Sequence, residues 1–360
     1  MDRKRVLFVA LPVLAAVAII AVVVAAPFSS DNKAPAAVVQ KTTTSPPTTK
    51  PDPTVPAGVP TAPLTGLALE NPLVGFRPAL AVKIDNVDTG SDHSRPQAGI
   101  AAADVVFEEI VEGGITRLVA VIQSELPGRV GPIRSARTTD PAMLGQLGRP
   151  LIAWSGGNPG VVAAVHGSSL IDVGFDALPP AYARDRSRRA PHNLFADVGA
   201  LYRAAPPDAK PPNRIFTYRD PREKLSPLAR KVRGVRLDFG NVASLKVTYE
   251  YDRKNDSWRR GQNGTTHQDE NGAVIAPRNV VVLVTGYLPS PADARSPEAQ
   301  TVGTGQAWVF TKGRVIGGTW RRDAADQQLQ LTDQQGTAIE LTPGKTWIEL
   351  PSAGMADLLH

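Results

Sequence analysis

A chain of 360 residues with 42% hydrophobic and 21% charged residues has globular composition, enough for one large domain or two modest ones. The absence of cysteine excludes thiol catalysis, disulfides, thiolate zinc sites, iron–sulfur clusters and a lipid-modified cysteine. A formal charge of +6 fits nucleic acid, anionic lipid or an anionic wall polymer as neighbour, and compartment decides among them.

Arg3, Lys4 and Arg5 precede an uncharged apolar run from Val6 to Phe28, long enough to match the roughly 20 helical residues that cross a bilayer. Residues 1–30 are therefore expected to be a signal anchor, a single-pass helix in the cell membrane that sends the rest of the chain outside. Val24-Ala25-Ala26 also offers a cleavage site, and secretion after cleavage leads to the same outer compartment. Residues 31–63 are rich in Pro and Thr and read as a disordered linker, a spacer between membrane and body.

The body divides near Pro206-Pro207 and Pro211-Pro212. Residues 64–209 read as a mixed α+β domain, a layered sheet with short helices. Ala79 to Ile84 is an expected strand, and Asp104 to Val111 and Ile115 to Gln123 are expected to pair across a two-residue Gly113-Gly114 loop. Asp140-Pro141 and Asn158-Pro159 each place a capping side chain before a proline, the order that opens a helix, and Leu151 to Trp154 between them reads as a buried strand. Residues 213–352 read as a mostly antiparallel, β-rich domain. Leu245 to Tyr251 alternates, and turn signals at Asn263-Gly264, Asn271-Gly272, Lys312-Gly313 and Pro343-Gly344 separate further strands.

A two-residue hairpin loop pairs Ile110 with Arg117 and puts Arg117 on one face with Glu108 and Glu112, Asp104 lying on that side too. Carboxylates beside an arginine could form a divalent-metal site, an acid/base pair or a plain ion-pair ladder. Arg134 and Arg137, in Gly131-Pro132-Ile133-Arg134-Ser135-Ala136-Arg137, would share a face in a helical turn, and arginine forks grip carboxylate or phosphate. Arg184, Arg186, Arg188 and Arg189 make a basic loop ahead of Ala190-Pro191-His192-Asn193, either a solvated loop or a clamp on an anion with His192 as donor or acid/base. The five histidines form no H-x-x-x-H pair, so no metal or other cofactor is expected. Ser155 follows a strand and precedes a helix but lacks the G-x-S-x-G pattern of a nucleophile elbow.

Taken in order, Pro63-Leu64-Thr65-Gly66-Leu67, Ile84-Asp85-Asn86, Arg95-Pro96-Gln97-Ala98-Gly99 and Ala103-Asp104-Val105-Val106-Phe107-Glu108 resemble the motifs of the YerB-like family. Further matching segments are Val111-Glu112-Gly113-Gly114-Ile115-Thr116-Arg117, the Gly131 to Arg137 segment, Arg188 to Leu194, Gly317-Gly318-Thr319-Trp320 and Leu341 to Trp347. The resemblance implies an extracytoplasmic, usually lipid-anchored α/β body with a second β-rich part, of unknown function and with no catalytic residues to transfer. Lacking cysteine, this chain departs from the lipid anchor.

The expected function is an envelope protein that binds an anionic, cell-wall-related ligand in a polar cleft. Arg95, Asp104, Arg117, Arg134, Arg137, Arg186 and Asn193 are the candidate binding residues. The competing expectation is an acid/base enzyme acting on a wall glycan or lipid-linked precursor through Asp85, Glu108, Glu112 or His192. A third is an adaptor for cell-wall synthesis proteins, which would show an exposed apolar patch on the β-rich part. A nucleic acid partner is not expected, because the basic charge lies outside the membrane.

Overall fold

The structure, a computed structural model, describes residues 60–89, 92–240 and 245–360. The expected membrane helix over 1–30 and the linker up to residue 59 lie outside them. Among the described residues no helix is long and apolar enough to cross a membrane.

The strand Leu80–Asp85 is buried at every position although its sequence includes Lys83. A near-continuous apolar strand suits a sheet covered on both faces, and that is what surrounds it. It pairs antiparallel with Thr116–Ile122 and parallel with Leu151–Ala153. Thr116–Ile122 pairs in turn with Val105–Ile110. On the far side of Val105–Ile110 lies Thr346–Glu349, a parallel strand from near the C-terminus, followed by Asn279–Leu283, Gly303–Thr311 and Arg314–Arg322. Strands from both halves of the body thus build one eleven-stranded sheet among the described residues.

One face of this sheet carries Val82, Ile84, Val106, Leu118 and Trp347. It is covered by a five-stranded antiparallel sheet built from Gly234–Asp238, Lys246–Asp252, Ser257–Gln262, Thr265–Thr266 and Ala356–Leu359. Aromatic edges make that contact, with Tyr249 against Trp347 and Trp258 against Phe310. The other face carries Ala81, Phe107, Val119 and Ile348 and packs on the helices Thr139–Leu144 and Pro159–His166. Asn158 caps the second helix as its sequence suggests, its side chain accepting from the Val161 amide at 3.0 Å.

The hairpin strands form where expected, but their register differs by one residue. Glu112, Gly113 and Gly114 together make a three-residue turn closed by the Val111 amide on the Ile115 carbonyl, with Gly113 and Gly114 at φ 73° and 71°. Two consecutive left-handed residues are accessible to glycine at little cost, and enlisting Glu112 shifts the pairing. Arg117 faces Glu109, and Ile110 faces Thr116. Because side chains alternate with period two, this slip moves Glu108 to the face opposite Arg117. The 131–137 segment is also not helical. It runs extended beside the end of Leu80–Asp85, bridging Ile133 to Ile84.

Candidate functional site

Two polar clusters lie at the same end of the sheet, on opposite faces. Asp85 and Arg117 are register partners on one face; Glu108 and Glu349 are register partners on the other.

The Glu108 cluster is closed. Glu108 and Arg260, both fully buried, pair at 2.6 Å. The other Glu108 oxygen accepts from Thr116 at 2.6 Å and Asn86 at 3.0 Å. Arg260 donates to Gln262 at 2.8 Å and to His267 Nδ1 at 2.6 Å, so His267 presents its Nε2 proton to Gln97 at 2.7 Å. Burial and the Arg260 charge hold His267 well below the ordinary imidazole range, which keeps it a neutral acceptor. Tyr249 donates to Glu349, whose carboxyl is pushed well above the ordinary range by burial and by Glu108 beside it. The neutral form of Glu349 is therefore favoured, and Glu108 answers Arg260.

The Arg117 cluster is built differently. Asp85, fully buried at its strand end, accepts from His192 Nδ1 at 2.6 Å and pairs with Arg134 at 3.1 Å. Glu112 in the turn accepts from Arg137, through Nε at 3.1 Å and Nη2, and from the Ser296 hydroxyl. Glu112 is drawn down to about 2, its partial burial being outweighed by the hydrogen bonds from Arg137 and Ser296. Arg117 is only 5% exposed, and it donates to the Ser135 carbonyl at 2.9 Å. Its Nε has no partner, and among the described residues it makes no ion pair. Burial, then the neighbouring charges of Arg137 and Arg134, lowers it to about 10. Behind the arginines Lys83 is held between Glu109 and Asp140. Burial raises the Glu109 carboxyl above its ordinary value, and Lys83 between the two carboxylates draws it back down. Asp85 and Glu112 thus pair with Arg134 and Arg137, and Arg117, the most buried of the three guanidinium groups, is left without a carboxylate partner.

The structure unites six of the expected residues here: Asp85, Glu112, Arg117, Arg134, Arg137 and His192. Glu108 belongs to the opposite face. Asp104 is spent on the Gln123 and Ser124 amides, capping the end of its partner strand. Arg95 holds Asp88 and reaches Thr265 at 3.2 Å. Asn193 accepts from Arg184 at 3.0 Å and stays within its own loop. Arg188 anchors that loop on the Ser94 and Pro96 carbonyls and on the Phe195 ring, whereas Arg186 is exposed. Sequence reasoning missed Arg260, Tyr249 and Glu349 altogether, and Lys83 as a charged member of a buried strand. A lysine inside an apolar run was the one available signal. A cleft of about 870 Å³ lies elsewhere, between residues 98–103 and 269–277. Its charges are paired as Arg129 with Glu270 and Lys345 with Glu125.

Fold and site together define a mixed α+β protein, mostly strands with short helices, whose two halves share a sheet that ends in a cluster of one buried and two half-buried arginines. Residues 64–210 match the N-terminal domain, and residues 235–348 the C-terminal domain, of a protein family of unknown function, DUF3048. The chain is 29% identical over 310 residues to the Bacillus subtilis (strain 168) protein named "Putative lipoprotein YerB", covering 80% of this chain and 85% of that one. It is similar to the crystal structure of the YerB protein from Bacillus subtilis, with a TM-score of 0.72 and 26% identity, covering 84% of this chain and 100% of that one. The chain belongs to the YerB-like family.

Proposed function

We propose that this protein is an extracytoplasmic envelope protein that binds an anionic ligand, phosphate- or carboxylate-bearing, at the Arg117, Arg134 and Arg137 cluster. The observation that carries the reading is the Arg117 guanidinium, buried without a carboxylate partner beside two further arginines. A buried cation is costly unless paired, and a bound anion supplies the missing charge through strong, charge-assisted hydrogen bonds. The outer compartment is supported by the basic residues ahead of the apolar run Val6 to Phe28 and by the relative named as a lipoprotein.

Binding is favoured over acid/base chemistry because the candidate carboxylates are occupied: Asp85 by Arg134 and His192, Glu108 by Arg260, Glu112 by Arg137. The adaptor reading gains less. Among the described residues the two most exposed large apolar side chains, Leu73 and Phe76, sit in the opening 3-10 turn Pro72–Phe76 and not on the β-rich part. Calorimetric titration of the full-length chain with inorganic phosphate, methyl phosphate, acetate and an uncharged glycan tests the reading. Binding of at least one anion, weakened about tenfold or more in Arg117→Met, is the expected result. Binding of the glycan alone, or anion binding indifferent to Arg117→Met, overturns it.

A further inference from the structure

Beside the arginine cluster a smaller pocket of about 230 Å³ opens, with the rings of Trp154 and Phe175 and the side chains of His166, Asp172 and Asp176 among its lining. Gly156 joins the two places. It lines this pocket, and a Cβ built on it would stand 3.3 Å from the Ser135 hydroxyl, while the Ser135 carbonyl receives Arg117. The Ser155 amide donates to the Arg134 carbonyl at 3.0 Å, which ties the same loop to the cluster.

The chemistry of this pocket is the converse of its neighbour's. No lysine or arginine lines it. The Trp154 indole N–H is spent on Asp172 at 2.7 Å, and Asp172 also takes the Gly174 amide at 2.8 Å and His166 Nε2 at 2.9 Å, so the wall is fixed before any ligand arrives. Asp176, an exposed residue of the lining, makes no ion pair or side-chain hydrogen bond among the described residues. Aromatic rings with carboxylate acceptors and no lysine or arginine suit a group that only donates and carries positive charge, an ammonium. At about 230 Å³ the pocket is below the roughly 300 Å³ at which drug-sized sites begin, so it fits a small substituent of a ligand held elsewhere.

Building on the anion reading, we infer that the ligand is zwitterionic: its phosphate or carboxylate meets Arg117, Arg134 and Arg137, and an amine on the same molecule enters the Trp154–Phe175 pocket. The test is titration of the full-length chain with ω-aminoalkyl phosphates of two to six carbons against alkyl phosphates of equal length. At one chain length or more the amine is expected to tighten binding about tenfold. Asp176→Asn should remove most of that gain and leave the alkyl phosphate affinity unchanged, while Arg117→Met should weaken both series. Equal affinity of the two series at every length overturns the amine pocket and leaves the anion site standing. Failure of every phosphate to bind overturns both.

Discussion

The two faces of the sheet end hold the same kinds of residue and solve the burial of charge in opposite ways. On one, Glu108 and Arg260 are each fully buried and matched, with Thr116, Asn86, Gln262 and His267 filling the remaining hydrogen bonds and Glu349 kept neutral. On the other, Arg117 is buried beside Arg134 and Arg137 and, unlike them, pairs with no carboxylate. A matched cluster ties the five-stranded sheet to the main sheet. A buried guanidinium without a carboxylate does little for the fold that an apolar side chain would not do, which is why the proposed anion is assigned to Arg117.

Substitutions should separate the faces by size and sign of effect. Arg260→Met is expected to cost the most, about 3–5 kcal/mol in urea unfolding, because it strands Glu108 in a dry interior. Arg117→Met removes a buried cation that lacks a partner and gives up one hydrogen bond to Ser135, so a loss of no more than about 1 kcal/mol is expected. A loss as large as that of Arg260→Met would erase the distinction.

Glu349→Gln sharpens the closed face through pH. The Glu349 carboxyl is raised in the folded protein, so folding takes up a proton; its contribution is full below the ordinary carboxyl value near 4.5 and is lost as pH rises above it. The glutamine variant should match the wild type near pH 4 and gain on it by pH 8. A constant difference across that range would show that Glu349 is ionised. The smallest effect is expected at Glu112→Gln, where the carboxylate is part-exposed and a change within about 1 kcal/mol follows. Because Glu112 stays ionised down to about 2, its link to Arg137 persists through neutral and mildly acidic pH. Its removal should tighten phosphate binding several-fold by freeing Arg137 from its carboxylate.

Much of this architecture was readable from local pattern. The buried strand before Asp85, the paired strands around Gly113 and Gly114, the Asn158 cap and the alternating strand through Val247 and Tyr249 all rest on neighbours in sequence. The register was not readable, because Gly113-Gly114 accepts either a two-residue loop or a turn that enlists Glu112, and that choice decides which face Glu108 occupies. The joining of both halves in one sheet was also hidden: Thr346–Glu349 inserts next to Val105–Ile110 across more than two hundred residues, and no local signal marks a strand's distant partner. For the same reason Arg134 and Arg137 were recognised as a pair from their spacing, whereas Arg260 was invisible as the partner of Glu108.

The central claim is that Arg117 is kept for a ligand and not for the fold, and the midpoint of urea unfolding of Arg117→Met, with and without phosphate, tests it most directly. The account predicts a variant about as stable as the wild type without phosphate, and unlike the wild type not stabilised when phosphate is added. A variant that is several kcal/mol less stable, and that phosphate stabilises as much as it does the wild type, would contradict it.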